Sequence, residues 1–215
     1  MMILSMAHGP DLDRLLPLDA PVGRAEREAA VCVPVTRGPE GSGTLLLRRT
    51  MEVPTHKGEY CFPGGGWAPG DRDLVDTAVR ELGEEIGLAA RHVRPVGLLP
   101  AVETLYGVRV QPVVAELDLQ TTPMPDGREV DLVLTWSWAV LTAPGVRQLR
   151  PLHALKPETR SRGMANRSLP AYVVGPHVIW GLTAHILDML LLPGPEAPPL
   201  PWPARSMPPW NPFTS

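Results

Sequence analysis

Cysteine is scarce in this chain: Cys32 and Cys61 are the only two among 215 residues. Both sit among apolar or strand-like neighbours, so each reads as a buried free thiol, against the alternatives of a disulfide or a metal ligand. That usage fits a reducing, cytoplasmic setting. Neither sign of charge dominates, since 20 basic and 23 acidic residues leave a net charge of −3. The balance gives no electrostatic reason to expect nucleic acid or an anionic membrane as a partner. Long apolar runs are missing too, and none approaches the roughly 18 residues that a membrane helix needs. Met1 to Met6 lack a basic n-region and are too short in apolar core for a signal peptide. Pro212-Phe213-Thr214-Ser215 carries neither a peroxisomal tripeptide nor a prenylation cysteine, and no repeat at a fixed period is visible. With 44% hydrophobic and 20% charged residues, what remains is an ordinary globular composition with enough chain for one full core, or at most two small domains.

What is present divides into three parts. Residues 1–26 are mixed and polar, reading as a short helix or an N-terminal arm. Ala29 to Thr36 and Thr44 to Arg49 are β-branched or leucine-rich runs joined by a turn-rich connector, which predicts a β-hairpin. Tyr60 to Phe62 reads as a short strand entering a glycine turn. Val96 to Val102, Val108 to Leu117 and Val130 to Leu141 read as further strands, the last with Trp136 and Trp138 on one face. Val178 to Leu191 has the spacing of a closing helix. Strands around a helix, then more strands and a last helix, predict an α/β sandwich of one domain over 27–192. From Pro193 to Ser215 there are nine prolines in 23 residues, which excludes helix or central strand. The tail is expected to be unstructured, or an arm against the body or a second subunit, with a peptide ligand for a partner domain as the alternative.

The densest chemistry lies in Arg80-Glu81-Leu82-Gly83-Glu84-Glu85-Ile86-Gly87-Leu88, preceded by Phe62-Pro63-Gly64-Gly65-Gly66. Asp73 is placed to cap a helix that Gly87 would end in a left-handed conformation. Val75, Ala78, Val79, Leu82 and Ile86 form its apolar stripe. Glu81, Glu84 and Glu85, at i, i+3 and i+4, share one face. Three carboxylates so close need positive charge to offset their repulsion, and oxygen donors suit hard cations such as Mg²⁺ or Mn²⁺. The alternative is a solvated acidic helix face. Arg80 is spaced to pair with Glu84 and to reach back to Asp71. The upstream glycines let backbone approach a ligand closely, a phosphate chain above all.

These residues resemble the Nudix box, G-x5-E-x7-R-E-U-x-E-E-x-G-U, where U is a bulky aliphatic residue. The second half matches at every fixed position from Arg80 to Leu88. In the strict register, Arg72 falls at the first glutamate and Gly66 at the glycine. One extra residue instead aligns Gly65 and Asp71, which keeps a carboxylate in place. That extension is similar to the coenzyme A pyrophosphatase subgroup. So are Leu45-Leu46-Leu47-Arg48-Arg49-Thr50, then His56-Lys57-Gly58 running into Phe62-Pro63-Gly64-Gly65, and Leu169-Pro170-Ala171-Tyr172 with Ile179-Trp180-Gly181-Leu182-Thr183-Ala184. Departures from the subgroup are Leu47, Thr50, Glu59 and His185.

The resemblance implies an α/β/α sandwich with a mixed central sheet and metal-dependent hydrolysis of a nucleoside diphosphate-linked substrate. The substrate implied is coenzyme A or a derivative, cut to 3′,5′-ADP and 4′-phosphopantetheine. ADP-ribose, NADH or other nucleotide derivatives are the enzymatic alternatives, and a non-catalytic ligand-sensing module is the other. Glu81, Glu84 and Glu85 are the expected Mg²⁺ or Mn²⁺ ligands, with the Gly65 or Gly66 carbonyl as a further one. Glu81 or Glu84 is the candidate base and Arg80 the group that orients them. Glu103 is a candidate remote base or extra ligand, with an exposed loop acid as the other reading. Arg48, Arg49, Lys57 and Arg109 are candidate phosphate contacts, and each also reads as a solvated strand-edge cation. His56 contacts substrate or serves as a hydrogen-bonded loop histidine, while Gly64 and Gly66 border the substrate. Trp180 reads as core or as a base-stacking platform. A homodimer is a further expectation.

Overall fold

The pleat of the central strands divides the interior into two cores. On β1 (Glu28–Gly38), Ala30 and Cys32 enter one core while Val33 and Val35 enter the other. On β2 (Gly41–Arg49), Leu45 and Leu47 face the first core and Leu46 the second. Successive side chains in a strand point to opposite faces, so a sheet buried on both sides needs such runs of apolar residues. This computed structural model describes residues 9–20, 27–38, 41–104, 107–119, 122–156 and 168–192. The proline-rich tail and both ends of the N-terminal arm lie outside the described residues.

Next come β3 (Tyr60–Cys61), β4 (Gly64–Gly66) and α1 (Leu74–Ile86), then β5 (Val93–Leu98), β6 (Val102–Glu103) and β7 (Arg109–Leu117). The chain closes through β8 (Val130–Ser137), α2 (Trp138–Leu141), β9 (Arg147–Pro151), α3 (Leu152–Leu155), β10 (Ser168–Val174), β11 (His177–Trp180) and α4 (Gly181–Leu191). An eight-stranded sheet has the path β3-β2-β1-β7-β5, with β4 on β1, β6 on β7 and β8 on β2. It is mixed, because β1 and β7 run parallel while the other pairs are antiparallel. A second sheet has the order β11-β10-β9. Helix α1 covers one face of the large sheet through Leu74, Ala78, Leu82 and Ile86. Helix α4 and the small sheet cover the other through Tyr172, Ile179, Ile186, Leu187 and Leu190. The expected α/β sandwich with a mixed central sheet is the fold observed.

Three element boundaries differ from expectation. The run from Val130 does not stay extended to Leu141. Ser137 caps α2 by accepting from the Val140 N–H, and Trp138 turns into the core. The closing helix starts at Gly181, not Val178, because Val178 to Trp180 pair with β10 across a two-residue turn at Gly175 (φ 57°) and Pro176. The run from Val96 divides into β5 and β6. Within the described part of the arm, Leu16 pairs with Leu98 through two backbone hydrogen bonds of 2.8 and 2.9 Å. Arg14 donates to the Leu190 and Leu192 carbonyls at the end of α4.

Candidate active site

Helix α1 holds its face in place through both ends. Asp73 accepts from the Asp76 N–H at 2.8 Å, and Gly87, at φ 71°, returns its N–H to the Gly83 carbonyl. Arg80 is the hub of the acidic face. Its Nε and Nη2 donate to Asp71 at 2.9 and 3.0 Å. Nη1 reaches Glu81 at 2.9 Å and Glu84 at 3.2 Å, and Nη2 also reaches the Gly66 carbonyl at 3.1 Å. Asp71 is buried beneath this fork and accepts from the Ala68 N–H and the Thr77 hydroxyl as well. The Arg80 guanidinium holds the Asp71 carboxyl well below the usual carboxylate range, since charge-assisted hydrogen bonds favour the ionised form. Arg72 turns outward to Asp76 at 2.7 Å. The register that places Asp71 in the box therefore matches the geometry, with the acid serving as anchor for Arg80.

The three glutamates have different surroundings. Glu85 is 5% exposed and accepts from the Gly64 N–H at 3.0 Å. Burial pushes its carboxyl up to about 8, against the pull of that N–H. Burial also raises Glu81, with Arg80 opposing the rise. Glu84 is 60% exposed at its side chain and borders an open groove with Val79, Gly83, Gly87 and Leu88. Gly65 packs directly on Glu81, where a Cβ would lie 2.4 Å from Oε1.

The flanking loops bring two more charges. Arg49, on the α1 side of β2, lies 3.6 Å from Glu129, and its buried Nε has no hydrogen-bond partner. Both Arg49 and Glu129 act electrostatically on Glu85. Glu129 was not singled out from sequence, and only the Asp126-Gly127 turn ahead of a strand marked its loop. Five carboxylates (Asp71, Glu81, Glu84, Glu85 and Glu129) thus surround the guanidinium groups of Arg80 and Arg49. An excess of acid over base, partly shielded from water, favours cations. Among the described residues, no three metal-ligating side chains converge as they stand; Arg80 is bonded to Glu81 and Glu84, and the Gly64 N–H to Glu85. The donor set and the glycine cradle beside Glu81 fit a hard divalent ion.

The other expected residues are dispersed. Arg48 points to the α4 side of the sheet, where it pairs with Asp131 at 2.8 Å, so the pleat separates it from Arg49 and the acids. His56, in the left-handed region at φ 59°, bonds Glu59 at 2.8 Å, and Lys57 beside it is exposed. Glu103 is exposed on β6 opposite Arg109, one row beyond the row Val102–Val110–Ala29–Gly66. Trp180 is half-buried with the Lys156 ammonium 5.8 Å from its ring. Both cysteines are free, as expected.

An acid-rich helix held by an arginine fork over a glycine turn, on a mixed sheet between helices, is the arrangement of a Nudix domain. The family model described as NUDIX domain matches residues 26–154, and the chain belongs to that family of hydrolases. The Nudix hydrolase NudL of Pectobacterium atrosepticum, described as uncharacterized, is 32% identical over 167 residues, covering 78% of this chain and 82% of that one. NudL of Salmonella paratyphi B matches with the same identity and coverage. A MutT/nudix family protein from Enterococcus faecalis superposes with a TM-score of 0.51 at 13% identity, over 79% of this chain and 62% of that chain, a likeness of fold alone.

Proposed function

We propose that this Nudix hydrolase cleaves the diphosphate of coenzyme A or its derivatives, giving 3′,5′-ADP and 4′-phosphopantetheine. The observation that carries the hydrolytic reading is the surplus of carboxylates around Arg80, with Gly65 so close to Glu81 that a side chain there would displace the carboxylate. A diphosphate repels an anionic nucleophile, and Mg²⁺ or Mn²⁺ held by Glu81, Glu84, Glu85 and the Gly65 carbonyl would neutralise it and lower the pKa of an attacking water. Arg80 orients Glu81 and Glu84 through its two contacts from one nitrogen. Where Glu81 or Glu84 is not engaged as a ligand it would instead accept the proton of the water, with Glu103 as the more distant candidate. Arg49, with its unpartnered buried Nε on the acid side, is the phosphate contact favoured over Arg48.

The coenzyme A reading rests on resemblance across Leu45–Thr50 and His56–Gly65. The loop between β2 and β3, which carries His56 and Lys57, leads through the short strand β3 to Gly64 and Gly65. Retention of all three box glutamates favours catalysis over ligand sensing. The test is turnover with Mn²⁺ of coenzyme A against ADP-ribose, NADH and dinucleoside polyphosphates. Coenzyme A should give the highest kcat/KM, and Glu84→Gln or Glu85→Gln should lower its turnover by about a hundredfold or more. A higher kcat/KM on another nucleotide overturns the substrate. Turnover of none of them overturns the enzyme.

A further inference from the structure

Among the described residues, Trp67 is the one exposed tryptophan, with 49% of its surface open to water. Leaving an indole this open forgoes the burial that a large apolar ring normally supplies. The ring is nonetheless fixed at two points. Its backbone N–H donates to the Glu28 carbonyl at 3.1 Å, and its Nε1 donates to the Asp71 carbonyl at 3.2 Å. The first bond carries the β1–β4 ladder one pair beyond Ala29–Gly66, so Trp67 faces the same side of the sheet as Gly65. The second ties the indole to the residue whose carboxylate anchors Arg80. Between them, the Gly66 carbonyl accepts from Arg80 Nη2 at 3.1 Å. Two residues of extended chain span at most about 7 Å, so the indole starts within that reach of Gly65 and the Glu81 carboxylate against it. The row that Trp67 begins continues through Glu28, Arg109 and Glu103, so polar side chains follow the ring along the same face. Trp180, by contrast, pairs with Ala171 in the small sheet, under the Lys156 ammonium.

We propose that Trp67 is the base platform of this site, its indole stacking on the nucleobase of a nucleoside diphosphate whose phosphates lie at Glu81 and Gly65. On the reading of the α1 face as a diphosphate site, this ring is the group that tells a nucleotide from a bare diphosphate. One ribose separates a base from its 5′-phosphate, and two residues separate Trp67 from Gly65. The Nε1 bond engages the edge of the ring, whereas stacking uses its face. A ring already held in place loses little freedom when a base settles on it. Stacking reads the flat face that every base has, so Trp67 confers preference for nucleotides as a class and leaves the rest of the substrate to other contacts.

The experiment is calorimetric binding of adenosine 5′-diphosphate and of inorganic pyrophosphate to the full chain in Mg²⁺, with thermal unfolding as the folding control. Wild type should bind the nucleotide more tightly than pyrophosphate. Trp67→Ala should weaken nucleotide binding about tenfold and leave pyrophosphate binding within about twofold of wild type. Trp67→Phe, which keeps an aromatic face but no N–H, should hold the nucleotide within about threefold of wild type. Unchanged nucleotide binding in Trp67→Ala overturns the platform. So does an equal loss for both ligands, which marks damage to the turn that carries Asp71, and so does a Trp67→Phe variant as weak as Trp67→Ala. Wild type that binds the nucleotide no better than pyrophosphate, or binds neither, overturns base recognition here. Nucleotide binding that depends on Trp67, in a protein that turns over no nucleotide, would sustain the platform while overturning the hydrolase.

Discussion

Gly64 and Gly65 are neighbours in one glycine run, and each excludes a side chain for its own reason. At Gly64 a Cβ would lie 2.4 Å from the Ala30 carbonyl oxygen and 2.7 Å from the Val31 Cα, both main-chain atoms of β1. At Gly65 the obstacle is the end of a side chain, the Glu81 carboxylate at 2.4 Å. Backbone in a paired strand cannot move aside, whereas a glutamate can. Gly64→Ala should therefore lower unfolding free energy by about 1–3 kcal/mol, measured by urea denaturation. Gly65→Ala should unfold near the wild-type midpoint but lose turnover by about tenfold or more, since displaced Glu81 no longer sits in its productive place. Equal stability losses in the two variants would contradict this division. The sequence signalled both glycines as a close-approach turn. Their separate roles were not legible, because they depend on what β1 and α1 place against them. Thr50 and Glu59, departures from the subgroup pattern, keep polar work: Thr50 bonds the Arg128 carbonyl, and Glu59 bonds His56 and lies 3.6 Å from Lys156.

Helix α1 was legible at both ends because its signals are local. Asp73 caps, Gly87 ends, and the apolar stripe repeats with the helix period. The element boundaries that differed are set by longer-range demands. Trp138 leaves the strand to fill the core, and Val178 to Trp180 are held extended by β10. Helix α4 carries a buried network that no local pattern announces. Asp188, with no side-chain exposure, accepts from Arg147 Nε and Nη2 at 2.7 Å each and from the Tyr172 hydroxyl at 2.8 Å. The bidentate pair ties α4 to β9, and the hydroxyl ties it to β10. Removing the arginine would strand a buried carboxylate, which costs about 3–5 kcal/mol. Arg147→Ala should lower the urea midpoint accordingly while leaving Mn²⁺ binding unchanged in the folded protein. A stability change near zero would show that the network is not a structural tie.

Across the whole molecule, the two sides of the large sheet have separate work. The α1 side gathers Asp71, Arg80, Glu81, Glu84, Glu85, Arg49 and Glu129. The α4 side gathers the larger aromatic core and the Arg147–Asp188 tie. Arg48 and Arg49, adjacent in sequence, go to opposite sides, so equal expectations for the pair give way to one residue near the acids and one paired with Asp131. Family membership and fold were readable from the box and the order of elements. The acid from the β7–β8 segment was not, since its approach to α1 arises only in three dimensions. Among the described residues, no helix is long and apolar enough to cross a membrane. The measurement that tests the account most directly is anomalous diffraction from crystals of this protein soaked in manganese. The account predicts a peak bounded by Glu81, Glu84, Glu85 and the Gly65 carbonyl, with Arg80 still anchored on Asp71. No peak there, with the glutamates still bonded to Arg80 and Gly64, would contradict it.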